Sequence, residues 1–133
     1  MYTFNWFSDL FTCTFYGHLN LKTIQNALTT LDDESSEKHV FRGLMDFSNI
    51  DGSNLSLRNA IYPAAHDLGF THCSGHSIKF AMVYSHDAMI PFLHRYKELV
   101  DSLPGELSVE LFTNKNEALV WLDKYPKDLR EAL

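Results

Sequence analysis

Clustered basic residues are what this chain of 133 residues most plainly lacks: 11 Lys and Arg are scattered among 17 Asp and Glu, for a formal charge of −6. Phosphate contacts need grouped Lys and Arg, so nucleic acid is not an expected partner, and neither is an anionic membrane surface acting as an electrostatic anchor. Cysteine is scarce too. Cys13 and Cys73 stand singly, without C-x-x-C spacing, so neither a disulfide framework nor a zinc knuckle is signalled. A reducing cytoplasm is the expected location. No apolar run approaches the length that spans a bilayer, and "MYTFNWFSDL" has no basic region ahead of an apolar stretch, so no integral membrane segment or secretory leader is expected. Gly-rich phosphate loops, a Walker lysine, a G-x-S-x-G elbow and H-E-x-x-H are all missing, and no cofactor is expected.

What is present suffices for one domain over residues 1–133. With 45% apolar and 14% aromatic residues, the chain can bury roughly two thirds of its unfolded surface. Its seven histidines would move the formal charge from −6 to +1 if all were protonated, so colloidal behaviour should change on mild acidification.

Alternation organises the N-terminus: Tyr2, Phe4 and Trp6 against Thr3 and Asn5, then Phe11, Cys13 and Phe15 against Thr12, Thr14 and Tyr16. This predicts an antiparallel hairpin broken at Ser8–Asp9. Asn20 is placed to cap a helix with Leu21, Ile24, Leu28 and Leu31 on one stripe, ended by the acidic run from Asp32. A strand is expected over Val40–Phe47, followed by the turn-rich "SNIDGSN". A second helix should start at Asn54 or Ser56, kink at Pro63 and end at Gly69. Ile78–Tyr84 is apolar almost throughout, as a central strand covered on both faces would be. Asp87 is placed to cap a third helix, with Pro91 in its first turn and Phe92, Tyr96, Leu99 and Leu103 facing the core. After the Pro104–Gly105 turn, "LSVELF" alternates as a half-exposed strand. Asn114 and Glu117 then stand at capping-box spacing before a last helix whose stripe is Ala118, Trp121, Leu122 and Tyr125. The order is β-β-α-β-α-β-α-β-α, an α/β fold with a mainly parallel sheet.

Four stretches, the opening hairpin, "GHLNLKTI", "LMDFSNIDGSNLS" and "ELFTNKNEALVWL", make the whole chain resemble the STAS family of anti-sigma-factor antagonists and sulphate-transporter tails, in its SpoIIAA-like branch. The resemblance implies a single STAS-like domain that is a cytoplasmic, bacterial, non-enzymatic binding and regulatory module. It also implies engagement of a protein partner through the loop before, and the start of, the second helix. In the family a D-S-S-G stretch there carries a phosphoacceptor serine at a helix N-terminus, where orphan N–H groups meet the phosphate. Asn54, Leu55, Ser56 and Leu57 occupy those four positions here, so Ser56 matches the acceptor while the aspartate, the neighbouring serine and the glycine are missing. Ser53, Asn54 and Ser56 are accordingly the candidates for partner binding or phosphate acceptance. Asp46 and Asp51, which flank this segment, are expected to cap their own backbone.

Two further readings come from the residues themselves. Tyr62, Phe70, Met89, Ile90 and Phe92 surround the second and third helices, each interrupted by a proline. An opening between them would admit a small apolar, lipid-like ligand, as in a carrier or sensor that visits membranes transiently. Plain core packing is the competing account. In "FTHCSGHS", His72, Cys73 and His76 include metal-ligand and nucleophile types, with His66 and His86 near enough in sequence to supply a fourth ligand. The expectation is a histidine-rich loop holding no structural metal, with Ser74–Gly75 as turn formers. A Cys/His enzyme is the third reading, and it requires an electropositive, partly exposed pocket around Cys73.

Overall fold

The hairpin forms as the alternation predicts. β1 (Tyr2–Phe7) and β2 (Leu10–Leu19) pair antiparallel around Ser8, whose φ of 58° closes a two-residue turn. Tyr2, Phe4 and Trp6 face the covered side, Thr3, Asn5 and Phe7 the open one, and Phe11, Cys13 and Phe15 are buried. The structure is a computed structural model; it describes residues 1–103 and 105–132, with side chains described as far as Asp123.

α1 (Leu21–Glu34) begins where Asn20 accepts the Thr23 N–H at 2.9 Å and buries Ile24, Ala27, Leu28 and Leu31. β3 (Arg42–Ser53) departs from the expected Val40–Phe47. Val40 is buried ahead of the strand, and the segment read as turns continues as strand beside the end of β2, with Tyr16 opposite Asn49 and Leu19 opposite Ser53. Two register shifts accommodate it, one at Gly17, whose φ of 72° suits a bulge; Ile50 is thereby buried.

A 3-10 turn over Leu57–Ala60 leads into α2 (Ile61–Ser74). Two expectations fail here. Pro63 is the third residue of α2, inside the first turn, where its missing N–H has no intrahelical acceptor to lose. Gly69 does not end the helix; Gly75, left-handed at φ 76°, does, and Ser74 Oγ donates to the Thr71 carbonyl at 2.6 Å in the last turn.

β4 (Ile78–Val83) is covered on both faces as expected and stops one residue short of Tyr84. It is not the middle strand. The order is β1-β2-β3-β4-β5 with only β1 antiparallel, so β3 holds the centre. α3 (Ile90–Asp101) follows a 3-10 turn over Asp87–Met89 whose cap is His86, not Asp87: its Nδ1 accepts the Ala88 N–H at 3.1 Å. Phe92, Leu93, Tyr96 and Val100 are buried and Leu99 is half-buried, but Leu103 lies past the helix end and is exposed. β5 (Leu107–Phe112) precedes α4 (Lys115–Ala132), where Asn114 accepts the Glu117 N–H at 3.1 Å. Pro104 and the side chain of Tyr125 lie outside the described residues.

The larger core lies between the sheet and α1, α2 and α3. On the other face Leu10, Leu44, Ala81 and Val83 pack with Ala118 and Leu122 of α4.

Candidate functional site

The segment from β3 into α2 is built by local hydrogen bonds. Ser53 Oγ accepts the Leu55 N–H at 3.1 Å, and the Asn54 N–H donates to the Leu19 carbonyl at 3.2 Å. The Ser56 N–H and Oγ both donate to Asn59 Oδ1, at 2.8 and 3.1 Å, which closes the turn before α2. Asp46 caps its own strand locally, accepting the Ser48 N–H at 2.9 Å, and Asp51 is exposed.

Ala60, Pro63 and Ala64 are buried, so helical geometry turns the intervening apolar residues outward. Leu57 is 55% exposed, Ile61 54% and Tyr62 44%. Arg58 stands exposed among them, its carbonyl accepting the Ile61 N–H and its side chain with no hydrogen bond or ion pair among the described residues. The ridge of Arg58 and Ile61 separates two shallow hollows. One runs toward α1 past Leu21, Tyr62 and Ala65, and the other toward α3 past Leu57, Pro91 and His94.

Beneath this surface three helices are tied by one polar chain. Tyr96 Oη of α3 donates to Asp67 Oδ2 of α2, His66 Nδ1 lies 2.8 Å from Asp67 Oδ1, and His66 Nε2 lies 2.9 and 3.0 Å from the two oxygens of Asp32 on α1. Burial opposes a charge on His66, but the bonds and fields of Asp67 and then Asp32 outweigh it and lift its pKa from 6.5 to about 9. The ring is therefore an imidazolium at neutral pH. Burial raises the pKa of Asp67 against the pull of His66 and Tyr96, and raises that of Tyr96, with the Asp67 charge adding to it. Asp67 escaped the sequence reading, although its spacing from Ala60, Ala64 and Thr71 puts it on the buried stripe of α2.

The "HCSGH" residues are not a loop but the last turn of α2 and its cap. His72 and Cys73 are exposed; His76 Nε2 lies 2.6 Å from the Val40 carbonyl oxygen, with its ring 4.2 Å from that of Phe41. Cys73 and His76 line an open groove of ≈ 510 Å³ with Lys38, His39, His66 and Phe70, whereas His72 lies outside it. Among the described residues, no three His, Cys, Asp or Glu side chains are grouped to hold a metal ion.

Nor do the apolar-ligand candidates surround one opening. Met89 and Phe92 are sealed in the core and Ile90 is half-buried at the start of α3. Phe70 turns toward the α1 groove, its ring 6.1 Å from that of His66, and Tyr62 borders the hollow beside Leu21. The cause is the placement of Pro63 and Pro91 in first turns. Both helices stay regular, and the bond from Tyr96 to Asp67 bridges them.

No known protein-family model matches this sequence, and no curated protein matches it. Among solved structures it is similar to an uncharacterised protein of the DUF3478 family with a SpoIIAA-like fold from Shewanella loihica PV-4. The two are 17% identical, the match covers 92% of each chain, and the TM-score is 0.51. At that identity the likeness bears on fold alone: the chain has a SpoIIAA-like α/β fold.

Proposed function

We propose that this SpoIIAA-like domain is a non-enzymatic binding module that engages a protein partner through the loop before α2 and the start of α2. The observation that carries the reading is the exposed trio Leu57, Ile61 and Tyr62 around the unpaired Arg58 side chain. Large apolar side chains left in water on one short segment mark an interaction surface, and Tyr and Arg are the residue types that most often anchor one. The polar chain beneath holds α2 against α1 and α3, so the surface is presented on a rigid support. SpoIIAA-like folds are typically non-enzymatic, which agrees with this reading by analogy.

Ser56 is at most a minor phosphoacceptor on this reading, because its hydroxyl already serves Asn59 and the flanking family residues are missing. The competing carrier of a small apolar molecule would have to use the hollow at Leu21, Ile61 and Tyr62, since Met89 and Phe92 are core. The test is Ile61→Asp and Tyr62→Ser against wild type as bait in extract of the native cell. A partner held by wild type and lost by both folded variants supports the proposal. Undiminished capture by both variants overturns it.

A further inference from the structure

The structure assigns a second interaction surface, independent of the first: the free edge of β1, which we propose joins two copies of this chain antiparallel into one continuous sheet. β1 borders only β2 in the five-stranded sheet. The two-residue turn makes Phe7 and Leu10 a hydrogen-bonded pair, so Met1, Thr3, Asn5 and Phe7 aim their backbone groups at β2; the Tyr16 N–H donating to the Met1 carbonyl at 2.9 Å fits that phase. The N–H and C=O groups of Tyr2, Phe4 and Trp6 therefore point away from the sheet. Among the described residues no backbone group pairs with them.

Such edges are normally guarded by charge, proline or a bulge. The opposite edge strand, β5, carries Glu110, which Lys97 meets at 3.4 Å. β1 carries no charge, no proline and no bulge. The uncharged strand also leaves a second copy free to approach. Copies of a chain with a formal charge of −6 repel one another across acidic surfaces, but residues 1–7 contain no Asp or Glu, and Glu34, which accepts from Trp6 Nε1 at 2.8 Å, is offset by Lys38 over the same ring at 5.1 Å.

The register follows from symmetry. A two-fold axis through the sheet must set residues of the same face opposite each other. Placed at Phe4, it pairs Phe4 with the partner's Phe4, Tyr2 with the partner's Trp6, Thr3 with the partner's Asn5 and Met1 with the partner's Phe7. All of residues 1–7 are then used, and the three outward residues of each copy form about six backbone hydrogen bonds. Met1 and Phe7, 81% and 58% exposed, cover each other twice. An axis at Asn5 would pair only residues 3–7 and leave Met1 in water.

Sedimentation of the full chain tests this, with a species of twice 15.3 kDa expected. Thr3→Lys with Asn5→Lys places like charges opposite each other at exposed positions on the open face, and should give a folded monomer by far-UV circular dichroism. Thr3→Glu with Asn5→Glu should do the same, and mixing the two variants should restore a heterodimer. A monomeric wild type, a dimer that survives the lysine pair, or a mixture that stays monomeric each overturns the proposal.

Discussion

Nδ1 of His66 lies 2.8 Å from Oδ1 of Asp67, its neighbour in the chain, while the far side of the same ring meets both oxygens of Asp32, 34 residues earlier. One imidazolium thus joins a buried carboxylate to an exposed one and ties α2 to α1. His66→Ala would strand Asp67 with only the Tyr96 hydroxyl, which should cost about 3 kcal/mol or more in urea unfolding at neutral pH. An unchanged midpoint would remove the network from the account of stability.

The same ring sets a pH dependence. Its folded pKa, about 9, is raised above the ordinary 6.5, so the native state binds the proton more tightly than the unfolded chain. The stabilisation is fully present below about pH 6.5 and is lost as pH rises through about 9. Unfolding free energy measured across that window should fall in the wild type and stay flatter in His66→Gln. Asp67 is shifted upward, so protonating it on acidification favours the fold.

Gly43 has no room for a side chain. A Cβ there would collide with the ring of Phe11 and come within 2.9 Å of the ring of Phe80, two aromatics packed edge-on at 5.6 Å. Gly43→Ala should therefore destabilise by about 1–3 kcal/mol or more, read as a lower melting temperature. Gly69→Ala, with nothing within 4 Å and a helical backbone, should be neutral or stabilising.

The two cysteines should differ in reactivity. Cys13 is fully buried, and burial pushes its thiol up to about 12, whereas Cys73 is exposed at the end of α2. A thiol reagent should label one site per native chain, Cys73, and reach Cys13 only on unfolding. Two fast-reacting thiols in the native state would contradict the packing of β2.

The elements and their order were legible because strand and helix periods were clean in Tyr2–Phe7, Leu21–Leu31 and Ile78–Val83. Their ends were less so. Gly69 and Gly75 are both plausible helix caps, and only the second adopts a positive φ, which tertiary packing decides. The polar run after Phe47 looked like turns because its pairing partner is a bulged strand far earlier in the chain, Tyr16 opposite Asn49 and Leu19 opposite Ser53, which no local pattern reveals. The resemblance pointed to Ser53, Asn54 and Ser56 as candidates at the start of this segment. The outward facing of Leu57 and Ile61 was not legible, because the 3-10 turn that leads into α2 leaves no mark in the sequence.

The central claim is that the start of α2 is the partner surface. Amide chemical-shift mapping of the ¹⁵N-labelled protein, titrated with the partner that wild-type bait recovers, tests it most directly. The account predicts perturbations concentrated on residues 53–62 and their absence in Ile61→Asp. Perturbations centred on the groove of Cys73 and His76, with residues 53–62 unmoved, would contradict it.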